Sequence, residues 1–236
     1  MPHCQKPSPL AIGVLMLDTE FERIKGDIGN PNTFDFPVIF KTIKSATADK
    51  VVTNANKARD LLPLFIQGAQ ELEKQGVKAI ATSCGFLTIV QSELTEAVSV
   101  PVVTSSLLLI PLISTVLGSK RKIGIITADS NSLSAQHLLA IGIDDRFPVH
   151  IKGLENSRVF VDSILSPNAN CRLDPQKIEQ DLLDLAESFC QNHPAIGVII
   201  LECTNLQPYA HNLRRKINRP VYGIVDLINF INKGLP

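Results

Sequence analysis

The chain has 236 residues, 44% of them apolar, with 23 basic and 23 acidic side chains and zero formal net charge. That length holds one large domain or two small ones, each with a real core. The balanced charge gives no basic field for nucleic acid and no acidic tail, so the expected partner is a small molecule. Met1-Pro-His-Cys-Gln-Lys6 lacks the apolar core of a signal peptide. The most apolar run, Leu107–Ile113, is broken by Pro111 and is far shorter than the roughly 20 residues that span a bilayer. A soluble, cytoplasmic protein with no membrane partner is expected. The five cysteines, Cys4, Cys84, Cys171, Cys190 and Cys203, form no Cys-x-x-Cys spacing, so free thiols and no metal are expected.

Residues 1–10 hold three prolines and no apolar period, the pattern of a mobile tail. Ala11–Met16 is a buried strand. Lys25-Gly-Asp-Ile-Gly-Asn-Pro-Asn-Thr33 is too rich in Gly, Asn and Pro for a helix or central strand, so a long loop follows the first strand. Such a loop is either a ligand-binding element or a bare surface excursion. Val38–Lys44 is β-like. Asn54–Gln75 has helical apolar spacing and a Gly76 stop, with Pro63 marking a kink or a junction of two helices. Strand Val77–Thr82, a helix over 86–98, strand Val102–Thr104 and helix Ser105–Leu117 follow. Polar Gly118–Lys122 links to a second half with the same alternation. Its parts are strand Ile123–Thr127, a helix capped at Asp129 or Ser130 and ending at Ile141, and strand Val149–Leu154. Then come a loop at 166–172, a helix from Asp174-Pro175 to Asn192, and strand Ile196–Leu201. A helix opened by Pro208, strand Val221–Ile224 and helix Asp226–Lys233 complete the chain. Alternating strands and helices imply parallel sheets covered on both faces, with the ligand site beyond the carboxyl ends of the strands.

Two cysteines sit at such ends. Cys84 closes Val77–Thr82 and lies 17 residues before Pro101-Val102; Cys203 closes Ile196–Leu201 and lies 17 residues before Pro220-Val221. Ile12-Gly13-Val14 echoes Ile123-Gly124-Ile125. The chain therefore divides into two related halves, each presenting one thiol, and a pseudo-twofold would bring both thiols to one cleft.

Two thiols on opposite faces of a carbon acid can invert it, one as base and one as acid. A free thiol titrates near pH 8.5. A helix N-terminus after each cysteine would favour the thiolate, and the pair would titrate as a unit. The same backbone N–H groups can hold a carboxylate and the enolate-like charge that develops beside it. Gly85 would let backbone approach closely, and Thr204 and Asn205 add donors. A lone cysteine is commonly a packing residue, which is the reading for Cys171 and Cys190. The matched pair could also be the remnant of a duplication in a non-catalytic ligand binder. A Cys-His hydrolase is the mechanistic rival. However, His137, His150, His193 and His211 have no diagnostic setting, and Thr82 and Phe86 stand where a nucleophile elbow has glycines. No Gly-x-Gly-x-x-Gly follows a strand and no lysine has a pyridoxal-phosphate setting, so no cofactor is expected.

From Ile12 to about Lys233 the chain resembles the aspartate/glutamate racemase superfamily. The resemblance rests on Thr82-Ser-Cys84-Gly, Glu202-Cys203-Thr-Asn205 and Gly26-Asp-Ile-Gly-Asn-Pro-Asn-Thr33; the last is similar to the Gly-x-x-Gly-Pro-x-x-Thr loop of aspartate racemases. It implies an α/β fold of two pseudo-symmetric Rossmann-like lobes with parallel sheets and the active site in the cleft between them. The first lobe would be 1–104 plus 220–236, its C-terminal strand and helix returning to it, and the second 105–219. It further implies cofactor-independent racemisation of an amino acid or similar carboxylate, Cys84 acting on the D-isomer and Cys203 on the L-isomer. Asn30, Thr33, Ser83, Gly85, Thr127, Thr204 and Asn205 would hold the substrate's carboxylate and amine, and the family suggests a homodimer. The superfamily also contains maleate isomerases, arylmalonate decarboxylases and hydantoin racemases. Three positions depart from glutamate racemases: Asn205 replaces a His, Asp18-Thr19 stands nearest to an Asp-Ser pair, and Gly85-Phe86 replaces Asn-Thr.

Overall fold

The computed structural model describes residues 11–53, 55–166 and 173–236. The tail expected at 1–10, Asn54, and loop residues 167–172 with Cys171 lie outside the described residues. Among the described residues, eight strands form two four-stranded parallel sheets of the same order. The first contains β1 (Ile12–Leu17), β2 (Val38–Ile43), β3 (Ala79–Thr82) and β4 (Val102–Val103), arranged β2-β1-β3-β4. The second contains β5 (Lys122–Thr127), β6 (Val149–Gly153), β7 (Ile196–Leu201) and β8 (Val221–Tyr222), arranged β6-β5-β7-β8. Every residue of β1 is buried, as expected of a central parallel strand covered on both faces.

The register explains the repeated Ile-Gly pair. Gly13 pairs with Ile80, and Gly124 with Ile199. A Cβ on Gly13 would lie 2.9 Å from Leu72 Cδ1, and one on Gly124 would lie 2.6 Å from Ile199 Cδ1 and 3.1 Å from Phe189 Cε1. Leu72 belongs to helix Leu62–Lys74 and Phe189 to helix Pro175–Asn192. Each glycine thus makes room for side chains packed over the first strand of its half. Both helices bury one apolar stripe, Phe65, Ala69 and Leu72 in one and Ile178, Leu182, Ala186 and Phe189 in the other. Both also carry proline in the first turn, where its missing N–H costs nothing.

Several expected helices begin differently. The Asn54–Gln75 segment is two helices, Ala55–Asp60 and Leu62–Lys74, and Pro63 opens the second. The segments after β3, β4 and β7 start as 3-10 turns, Gly85–Val90, Ser106–Leu109 and Thr204–Tyr209, before becoming α-helical. The helix expected from Asp129 begins only at Ala135. Asp129 instead bonds Asn131 N at 2.9 Å and Ser132 Oγ at 2.6 Å, a local turn that competes with helix. Residues 158–165, for which no element was expected, form a short helix and a π-turn.

The lobes exchange helices. Helix Ile110–Leu117 buries Ile110 and Ile113 in a cluster containing Ile123 and Ile125 of β5. Helix Ile224–Gly234 places Ile224, Leu227 and Ile228 against Ile12, Val14, Ala79 and Ala81 of the first sheet. The expected return of 220–236 is therefore made by the helix alone. Strand β8 stays with the second sheet, pairing Val221 with Ile199, just as β4 pairs Val102 with Ile80 in the first. Among the described residues, no helix is long and apolar enough to cross a membrane.

Candidate active site

Strands β3 and β7 end side by side at one cleft. Cys84 and Cys203 each take the extended N-cap position of a 3-10 turn, and each is 7% exposed. Both line a cleft with about 390 Å³ of empty space, whose apolar wall includes Leu17, Phe21, Val52, Ile164 and Leu165. Three hydrogen bonds fix the strand ends. Thr204 Oγ1 donates to Ser83 O at 2.7 Å, Ser106 Oγ donates to Leu201 O at 2.6 Å, and Ser83 Oγ accepts from Leu17 N at 2.9 Å. The first crosses between lobes, tying the residue before Cys84 to the residue after Cys203.

Glu202 lies between the two turns and is fully buried. Its Oε2 accepts from Thr127 Oγ1 at 2.6 Å, and its Oε1 has no hydrogen-bond partner. Gly85 accommodates it: a Cβ there would lie 2.2 Å from Glu202 Oε1 and 2.5 Å from its carbonyl oxygen. Gly85 is thus required by the carboxyl group packed on it. Burial raises the Glu202 carboxyl from 4.5 to about 7, against the pull of Thr127 and the Ala128 N–H.

Both thiols are held well above their ordinary range. For Cys84 the largest cause is burial and the next the Glu202 charge, with smaller downward pulls from the Phe86 N–H and Arg23. For Cys203 burial and Glu202 again lead; the Asn205 N–H opposes them, while Cys84 and Asp27 add to the rise. The N–H groups after each cysteine act in the expected direction, but burial outweighs them. Burial therefore opposes the thiolate form at both sulfurs.

The loop after β1 forms the third wall. Gly26 has φ +99, and a Cβ there would meet Pro208 Cα at 2.9 Å, so only glycine lets the loop sit on the turn after Cys203. Asp27, 3% exposed, collects three bonds: Arg23 Nη1 at 2.8 Å, Gly29 N at 2.7 Å and Asn205 Nδ2 at 2.8 Å. Arg23 also donates to Thr19 Oγ1 at 2.9 Å and stacks 4.5 Å from the Phe21 ring centroid. Asn205 Oδ1 faces the Cys203 thiol at 3.7 Å.

Of the residues expected at the site, Cys84, Cys203, Ser83, Gly85, Thr204 and Asn205 line the cleft together. Asn30, Thr33 and Thr127 do not. Asn30 accepts from Asn32 N and donates to Arg23 O, and Thr33 accepts from Gly26 N and donates to Asp27 O, so both brace the loop from within. Thr127 is spent on Glu202. Asp18 points away, to Ser45 N and Lys44 at the surface, whereas Thr19 lines the cleft. Phe86 is buried in the core, edge-on to His137 at 5.2 Å, and also contributes to the cleft lining. Sequence reasoning assigned no role to Thr19, Phe21, Arg23, Asp27 or Glu202. The available signals were an acid directly preceding the second cysteine and an Arg–Asp pair four residues apart that runs into the glycine-rich loop.

Two related α/β lobes thus bring one thiol each to the lining of one cleft. Residues 37–228 match the Asp/Glu/Hydantoin racemase family, and the chain belongs to it. A dimethylsulfoniopropionate lyase of Durusdinium sp. clade D is 29% identical over 95% of this chain and 74% of its own length. Dimethylsulfoniopropionate lyase 3 of Emiliania huxleyi is 26% identical over 93% of this chain but only 58% of its own, so the chain spans little more than half of that relative. A liganded double mutant of arylmalonate decarboxylase shares the fold, with TM-score 0.59, 16% identity and coverage of 90% of this chain and 86% of that one. An aspartate racemase homologue from Pyrococcus horikoshii does so at TM-score 0.55 and 16% identity, covering 89% and 92%.

Proposed function

We propose that this protein removes the proton α to the carboxylate of a small substrate, using its paired thiols and no cofactor, and that the reaction is elimination from a β-sulfonio carboxylate such as dimethylsulfoniopropionate. The observation that carries the reading is the presence of both Cys84 and Cys203 in the lining of one cleft with largely apolar walls. Arg23 is the cation among the described lining residues, and it already bonds Asp27 and Thr19. That suits a substrate with one carboxylate and a methylated sulfonium, which donates no hydrogen bonds, better than an amino acid with two carboxylates and an ammonium group. Leu17, Phe21, Val52, Ile164 and Leu165 would receive the methyl groups on sulfur. The lyases named above, aligned over nearly all of this chain, support the same substrate class.

One thiolate takes the α-proton. The C–H electron pair becomes the Cα–Cβ double bond, and the Cβ–S pair leaves with sulfur. The products are acrylate and dimethyl sulfide, and the thiol returns its proton to water. Backbone N–H groups of the turns after the cysteines stabilise the charge that develops on the carboxylate. Gas chromatography of the headspace over purified protein with dimethylsulfoniopropionate tests this. Dimethyl sulfide release that Cys84→Ser abolishes supports it, and no release from protein with titratable thiols rejects it.

The retention of both thiols favours a second reading, amino-acid racemisation by two-base transfer between Cys84 and Cys203, with aspartate before glutamate. An elimination needs one base; an inversion needs a group on each face. Loss of optical rotation from L- or D-aspartate without gas release would decide for it.

A further inference from the structure

The two thiols are not equivalent. Asp27 is ion-paired with the Arg23 guanidinium and accepts from Gly29 N, so its oxygens serve as acceptors. The Asn205 group that meets it at 2.8 Å must therefore be Nδ2. This fixes the amide orientation and turns Oδ1, an acceptor, toward Cys203 Sγ at 3.7 Å. A sulfur facing an acceptor oxygen is favoured when it carries a proton and repelled when it is a thiolate.

We propose that the buried chain Arg23–Asp27–Asn205 holds Cys203 as the protonated partner and leaves Cys84 as the base. The charged neighbours agree. Cys203 faces Glu202, Asp27 and Cys84, all of which oppose its ionisation, and the Asn205 N–H is its favourable contact. Cys84 faces the same Glu202 but has the Arg23 charge and the Phe86 N–H in its favour. The elements packed over the far wall contribute apolar Ala48, Val52, Ile164 and Leu165 to the lining. Asp27 and Asn205 are positioning residues that act through Cys203. This deepens the carbon-acid reading and rests on it. In elimination Cys84 takes the α-proton while the Cys203 S–H stays in place. In the two-base reaction Cys203 delivers that proton to the opposite face of the carbanion as Cys84 gains one.

Thiol alkylation tests the inequality without any substrate, so a protein that turns nothing over still gives an answer. The native protein is treated with iodoacetamide near pH 8, and modification at each cysteine is followed by peptide mass spectrometry. Asp27→Asn keeps the side-chain volume and the bond to Gly29 N, but presents an amide that lets Asn205 flip its Nδ2 toward sulfur. The expected result is alkylation of Cys84 about tenfold faster than Cys203, the ratio given by one unit of thiol pKa. In Asp27→Asn the Cys203 rate rises about tenfold while the Cys84 rate changes less. Asn205→Ala, which removes the acceptor oxygen, raises the Cys203 rate in the same direction and carries the test if Asp27→Asn fails to fold. Faster alkylation of Cys203 in the native protein, or an unchanged ratio in a folded variant, overturns the proposal.

Discussion

Replacing Glu202 by Gln tests whether a buried carboxyl group sets the charge state of the cleft. The Glu202 carboxyl rises from 4.5 to about 7 on folding because it is buried. The folded protein therefore holds this proton more tightly than the unfolded chain does. Its contribution to stability is fully present below the unfolded value and is lost as pH rises through the folded one. At 1.36 kcal/mol per unit, the shift amounts to about 3 kcal/mol. Gln is neutral at every pH and can still accept from Thr127 Oγ1. Urea unfolding of both proteins from about pH 4 to about pH 8 separates the two cases. The difference in unfolding free energy, variant minus native, should climb by about 3 kcal/mol in favour of Gln across that range, most of it between the two titrations. The same substitution removes a negative charge beside both sulfurs, so each thiol should alkylate at lower pH. Parallel stability curves across the whole range would refute the buried, proton-holding carboxyl.

Cys84→Ser should abolish turnover on either reading, checked by headspace chromatography and by α-proton exchange in D2O. Cys203→Ser should abolish racemisation, followed by polarimetry, but spare part of an elimination. Gly85→Ala brings a Cβ to 2.5 Å from the Glu202 carbonyl oxygen, a backbone atom that cannot swing aside. It should cost about 1–3 kcal/mol in urea unfolding, together with the activity. Phe65→Ala empties a fully buried site under the first sheet and should cost about 3–5 kcal/mol by the same assay, with thiol reactivity retained in the folded fraction.

The parts of this protein that sequence reasoning recovers are those written in local pattern. Short, largely apolar runs mark the central strands β1, β3, β5 and β7, and the cysteines are found because each closes such a run at matched spacing. The Ile-Gly echo likewise records one packing need in each half. What it misses depends on contacts remote along the chain. Asp27 and Asn205 are 178 residues apart and Thr127 and Glu202 are 75, so nothing local reveals that one pair orients an amide and the other anchors a buried acid. Asn30 and Thr33 mislead for a related reason: a loop rich in Asn and Thr looks the same whether its polar groups face a ligand or one another. Cys84 and Cys203 themselves mislead in degree. The N–H groups beyond them are legible in the sequence, whereas the burial that outweighs those groups belongs to the assembled lobes.

Proton NMR in D2O tests the central claim most directly. The native protein, without added cofactor, is incubated with dimethylsulfoniopropionate and, in separate tubes, with L- and D-aspartate and glutamate. The account predicts loss of an α-proton signal in at least one tube. With dimethylsulfoniopropionate the olefinic signals of acrylate should appear alongside the methyl signal of dimethyl sulfide, and Cys84→Ser should silence both. Signals unchanged in every tube, from folded protein whose two cleft thiols still titrate, would contradict a carbon-acid enzyme built on Cys84 and Cys203.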